Sequence, residues 1–244
     1  MKIFYITLLY CAYFIPLMLT ADGQNSSPDS SLYIGRLDDA VRVYRQFTGT
    51  ESPLYNGVDY IAYQLPVTGN PFFNSDQWMD GSVLYHGIQY NQVPIRYDIM
   101  RGVVVIRSYD STTQIILGEA ALDWFKVAGH TFIRIAKDSG RGLLPGYYEL
   151  LYSGPHEVLA HWSKSLQTTY SGVTAIRNFD LSSRYYIRAG KRFIQVGSKS
   201  AMWRIFADKK NQVKADFRKS RIRFRRDPGA AIVRICSFYD RINP

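Results

Sequence analysis

The sequence predicts a β-rich α+β fold: an antiparallel β-meander, forming a curved sheet or partial barrel, followed by C-terminal helices. Three observations carry this expectation. Over residues 53–197, short runs of aromatic and β-branched residues recur, divided by Gly, Asn and Pro. No helical pattern of ~10–15 residues separates them, so βαβ units are disfavoured and tightly joined neighbours should pair antiparallel. Past Gly197, apolar residues fall at helical spacing among many cations.

The chain opens with an export signature. Lys2 precedes an apolar run over 3–19, interrupted only by Thr7 and Pro16, and small residues Ala21 and Gly23 precede a cut before Gln24. The run is short for a membrane span. Residues 1–23 are therefore expected to be a cleaved signal peptide, leaving an exported protein of the periplasm or cell envelope that is not transmembrane. Residues 24–52 read as a polar tail and a short helix over 37–47, with Asp38 and Asp39 at its start and Val41, Tyr44 and Phe47 near helical spacing.

The meander is read over 53–197. Residues 58–65 alternate as one strand. Runs 83–85 and 88–90 flank a tight turn at His86-Gly87, and 94–100 and 103–108 flank Arg101-Gly102. Residues 113–117 follow, then 124–127 with 131–135 around Gly129, and 147–152 with 157–162 around Gly154-Pro155. The final pair, 184–188 and 192–196, turns at Ala189-Gly190-Lys191. Tyrosine, with 19 copies, is the commonest aromatic, which suits a half-exposed sheet where the ring packs and the hydroxyl meets water.

Residues 198–244 read as a basic helical segment packed on the same domain. Met202, Ile205 and Phe206 share one helical face, and Asp208 suits the N-cap of a second helix carrying Val213 and Phe217. Residues 221–226 alternate like a strand or act as a connector. Asp227-Pro228 then opens a last helix through Ala231, Ile232, Ile235, Cys236 and Tyr239. With Cys11 removed, Cys236 has no disulfide partner, and its apolar neighbours mark a buried, inert thiol. A disulfide-free exported domain must rest on its core, which favours a bacterial envelope.

Certain stretches resemble a known group. Leu54-Tyr55-Asn56-Gly57-Val58-Asp59-Tyr60, Arg96-Tyr97-Asp98, Arg184-Tyr185-Tyr186-Ile187, Phe206-Ala207-Asp208-Lys209-Lys210 and Ser237-Phe238-Tyr239-Asp240 are similar to uncharacterised exported cell-envelope proteins of Bacteroidota. The resemblance implies an envelope location and carries over no functional residue.

Charge is the remaining signal. Residues 177–241 hold 18 Lys/Arg against 5 Asp/Glu, a balance of +13, whereas 24–176 hold 11 against 14, a balance of −3. Such asymmetry points to an anionic partner. Lys209, Lys210, Lys214, Arg218, Lys219, Arg221, Arg223, Arg225 and Arg226 are the candidate anionic-surface residues; the bland alternative is a solvated face. Export makes nucleic acid an unlikely partner and favours anionic lipid, lipopolysaccharide, acidic glycan or another envelope protein.

The search for chemistry yields neither a catalytic residue nor a cofactor. His156 and His161, five apart on a strand-like run, should face opposite sides of a sheet and so cannot pair on a metal. Ser139-Gly140-Arg141-Gly142 lacks the Lys-Ser/Thr of a phosphate loop. The acidic pairs Asp76/Asp80 and Glu119/Asp123 are commonplace spacings. The expectation is a non-enzymatic envelope protein. The alternative is a periplasmic carrier holding an apolar or lipid ligand within the curved sheet, and a cell-wall hydrolase has no motif behind it.

Overall fold

The structure, a computed structural model, describes residues 52–64, 66–137 and 142–243. The expected signal peptide, polar tail and 37–47 helix lie outside the described residues, as do Ser139, Gly140 and Arg141. The strands are β1 (Val58–Asp59), β2 (Met79–Tyr85), β3 (Ile88–Asp98), β4 (Val103–Arg107), β5 (Gln114–Ile116) and β6 (Leu122–Val127). They continue with β7 (His130–Ile135), β8 (Gly146–Tyr152), β9 (Val158–Ser171), β10 (Thr174–Ala189) and β11 (Arg192–Val196). Helices α1 (Lys199–Ile205), α2 (Lys210–Lys219) and α3 (Pro228–Ile242) follow. All eleven strands join one sheet in the order β1-β5-β4-β3-β2-β6-β7-β8-β9-β10-β11, with antiparallel pairing throughout. The β-rich α+β class and the curved meander expected from the sequence are what the chain adopts.

Several boundaries differ from the sequence reading, each for a local reason. Among the described residues of the 58–65 run, only Val58 and Asp59 are strand, and both are exposed. Residues 88–90 and 94–100 are not separate strands: they fuse into β3 across Gln92, which takes φ 55° as the extra residue of a bulge opposite Gly81 and Ser82. Pro94 is tolerated beside that irregularity. Gly81 is required there, since a Cβ would lie 2.2 Å from the Lys126 carbonyl oxygen. The largest omission is the β9–β10 hairpin, paired from Val158↔Ile187 to Ser171↔Thr174. Its distal half is exposed, including Tyr170 at 72% and Val173 at 103%, so no buried face imposed a hydrophobic alternation on the sequence.

The sheet curls without closing its ladder. The Lys164 amide donates to the Ile99 carbonyl at 3.2 Å, although β3 and β9 are far apart in strand order. Residues 68–73 fill the seam: Thr68 bridges Asn178, Phe72 bridges Asp98, and the Lys164 ammonium donates to the Asn70 and Phe72 carbonyls at 2.8 and 2.7 Å. Burial holds that ammonium below the ordinary lysine range, with Asp98 opposing the shift. Within the curl, Phe125 stacks on Phe132 at 4.8 Å, while Tyr97 meets both rings edge-on at 5.0 Å. Phe73 and Tyr147 extend the cluster.

A second core lies between the sheet and the helices. Met202, Phe206, Val213, Phe217, Ile232, Ile235 and Cys236 pack with Val158, Ala160, Ile187 and Val196. Each fully buried aliphatic side chain there contributes roughly 1.5–3 kcal/mol of transfer free energy. Asp227 caps α3 by accepting from the Ala230 amide at 2.9 Å, and Pro228 occupies the first turn, as the sequence anticipated. Gly229 lets that end approach Tyr185, whose Cε1 would lie 3.2 Å from a Cβ. Cys236 is fully buried, and burial pushes its thiol well above the usual range.

Candidate functional site

The basic segment is divided by its helical geometry. On α2, Val213 and Phe217 turn inward, and Asp216 takes a bidentate pair from Arg234 of α3 at 2.8 and 2.6 Å. Lys210, Lys214 and Arg218 recur at four-residue spacing and therefore share a face. Lys210, Arg218 and Lys219 are exposed, and Lys209 and Lys214 are half-buried. Arg221, Arg223, Arg225 and Arg226 lie on the connector between α2 and α3, all exposed, with Ile222 and Phe224 partly buried between them. The strand-or-connector ambiguity at 221–226 resolves to a connector ending in a turn. Among the described residues, none of these nine cations has a carboxylate within ion-pair distance.

One neighbour of this face, Lys199, was missed in the sequence. Lys199 lies over Trp203 at 5.9 Å and Phe217 at 5.1 Å, and Lys214 lies over Trp203 at 5.7 Å. The signal was the four-residue interval from Lys199 to Trp203, which brings them together once α1 forms. Asp208 was misassigned. It accepts from the Tyr239 hydroxyl at 3.0 Å, tying α3 to the α1–α2 turn, while the N-cap position of α2 falls on Lys209, which makes no side-chain cap.

Two of the histidines serve as clamps. His130 Nδ1 pairs with Glu149 Oε1, and the other Glu149 oxygen accepts from Trp162 Nε1 at 2.6 Å. His130 Nε2 meets the Asn74 amide at 3.4 Å. His156 Nδ1 pairs with Asp240 at 2.5 Å, its ring lying against Phe206 and Tyr239, which fastens α3 to the β8–β9 turn. His156 precedes β9, so the expectation that it shares a strand with His161 is corrected. Among the described residues, no group of three or more His, Cys, Asp or Glu is placed to hold a metal, and no helix is long and apolar enough to cross a membrane. The inner face of the curl, where a carrier would seat its ligand, holds the protein's own Phe73, Tyr97, Phe125, Phe132 and Tyr147.

No protein family, no curated protein and no solved structure matches this chain.

His161 yields a pH prediction. Burial, then the nearby Arg184 charge, lowers its pKa from the usual 6.5. Its folded-state pKa lies below the unfolded value, so the unfolded chain binds the proton first as pH falls through about 6.5. Stability is therefore lost on the acid side of that point and regained above it. Denaturant melts at pH 5 and pH 7 should show a smaller difference for His161→Gln than for wild type; an unchanged difference would refute the assignment.

Proposed function

We propose that this chain is an exported cell-envelope protein that associates, without catalysis, with anionic envelope components through its basic C-terminal helical face. The observation that carries the reading is the set of nine cations over 209–226, solvent-accessible and, among the described residues, without carboxylate partners, beside the Lys199–Trp203–Lys214 cluster. The acidic residue of α2 is turned away from that face and satisfied by Arg234. An unneutralised field of this kind attracts phosphate or carboxylate headgroups, and a half-buried indole next to lysines suits an interface between apolar and aqueous phases. The Bacteroidota resemblance and the signal-like N-terminus favour the same compartment.

The test is sedimentation with vesicles containing anionic lipid, across a salt series. Each cation that reaches the surface adds about 1 kcal/mol at low ionic strength, so replacing Lys209, Lys210, Lys214, Arg218 and Lys219 by Gln should lower affinity at least about a hundredfold. Wild-type binding should also weaken as the Debye length shortens from ~10 Å at 0.1 M salt to ~3 Å at 1 M. Binding that ignores both salt and the substitutions would remove the reading.

A further inference from the structure

The seam of the curled sheet contains an arginine that is poorly explained as a structural residue. Arg96 of β3 is clamped between two rings, 4.3 Å from the Phe72 centroid and 3.9 Å from that of Trp78. Its Nη1 donates to the Asp76 carbonyl at 3.2 Å and its Nη2 to Gln114 Oε1 at 2.6 Å, but its Nε is buried without a partner. Two of the five guanidinium N–H donors are thus used; beside the buried Nε–H, one N–H remains on each of Nη1 and Nη2. Among the described residues no carboxylate lies within ion-pair distance, and Arg107, also on Trp78 at 4.9 Å, adds a second positive charge nearby. A partly buried guanidinium surrounded by rings, amides and another arginine has lost hydration, with the Asp76 carboxylate near enough to act on it but outside ion-pair distance.

Arg96 lines a surface cleft of about 290 Å³. Buried Tyr60 and Phe72 line its apolar part, and half-exposed Tyr63 and Phe179, edge to face at 5.5 Å, stand together on its rim. Arg101 backs Tyr63, 4.1 Å from its ring, and donates to the Ile61 carbonyl, fixing a loop that is otherwise outside the ladder. Asn70, Gln114 and Asp76 supply polar groups along the same cleft. Tyr60 and Tyr63 both donate to the buried Asp98 carboxylate, so their rings are anchored from beneath.

We propose that this cleft binds a carboxylate-bearing sugar ring, a uronic acid residue, with the carboxylate on Arg96 and the apolar face of the ring against Tyr63 and Phe179. The three chemistries converge on that class. A guanidinium with spare donors recognises a planar carboxylate, often in two-point fashion. Aromatic walls accept the C–H face of a pyranose, while amides and the Asp76 carboxylate accept or donate to its hydroxyls. A simple apolar ligand would leave the Arg96 donors unpaired, and a small inorganic anion would leave the aromatic wall unused. The cleft is built on β3, β5, β10 and residues 60–63 and 67–76, separate in the chain from the basic face of 209–226.

The experiment titrates glucuronate, glucose and acetate into the intact protein, read by tryptophan fluorescence and by calorimetry, since Trp78 touches Arg96 directly. Glucuronate should bind saturably in the millimolar range (about −4 kcal/mol), with glucose and acetate each at least about tenfold weaker. Arg96→Gln should abolish the preference for glucuronate over glucose. Tyr63→Ala, which lies outside every strand and leaves the Arg96 clamp in place, should weaken glucuronate about fivefold or more while the melting profile stays close to wild type. The five-residue Lys/Arg→Gln variant of the helical face should bind glucuronate as wild type does. Equal binding of glucose and glucuronate, no saturation by glucuronate, binding unaffected by Tyr63→Ala, or loss of binding in the helical-face variant would each overturn the assignment.

Discussion

Replacing Phe132 by Ala should lower unfolding stability by about 3–5 kcal/mol, the range for deleting a fully buried aromatic ring. Phe132 is 0% exposed and meets Phe125, Tyr97 and Phe73 at ring-contact distances. Its neighbours belong to four different segments, β6, β3, the 70–78 loop and, through backbone pairing with Glu149, β8. The cavity therefore cannot be closed by one side chain shifting, and the loss includes both transfer and cavity contributions. A loss of this size would consume much of the ~5–15 kcal/mol typical of a domain. The matched control is Tyr170→Ala, a ring of similar size at 72% exposure, which should change stability by no more than ~0.5 kcal/mol. Equilibrium denaturation of both variants decides the matter; near-equal effects would mean that the aromatic cluster does not organise the curl.

Asp98→Ala is expected to cost about 3–4 kcal/mol, because several buried donors lose their acceptor at once. The carboxylate is 0% exposed. One oxygen accepts from the Met100 and Arg101 amides at 2.9 and 3.0 Å, which sets the β3–β4 turn, and the other accepts from the Tyr60 hydroxyl at 2.9 Å. The second oxygen also accepts from the Tyr63 hydroxyl at 3.4 Å, so the turn and the Tyr60–Tyr63 loop share one carboxylate. Asp98→Asn keeps one carbonyl oxygen for the two turn amides and should cost only about 1–2 kcal/mol. Should the two variants prove equally damaging, negative charge beside the Lys164 ammonium, not turn geometry, would be the dominant contribution.

The hairpins at His86-Gly87 and Ala128-Gly129 were legible because tight turns with positive φ leave a local mark, and His86, Gly87, Ala128 and Gly129 do take positive φ. The Asp227-Pro228 helix start was legible for the same reason: cap and first turn are contiguous residues. The distal β9–β10 ribbon was not, since its register runs through mixed pairs such as Thr168↔Arg177 and Gln167↔Asn178 with no buried stripe to reveal it. Asp208 misled because an acidic residue before a helix satisfies a local rule, whereas its real partner, Tyr239, is 31 residues away.

The candidate sites divide along the same line. The cations of 209–226 were visible as composition, and helical spacing separated Val213 and Phe217 from Lys210, Lys214 and Arg218. The Arg96 cleft was invisible, because Tyr63, Arg96, Gln114 and Phe179 come from four distant segments that meet only where the sheet curls.

By itself, the sequence determined the β-rich meander, its tight turns, the helical C-terminus and the charge asymmetry, all of which depend on residues within a few positions of one another. Only the tertiary structure decided the curl of the sheet, the rings that fill it, the carboxylates that clamp it and the company Arg96 keeps. Those depend on contacts between distant segments, whose chain-entropy cost is met only when the whole core forms together.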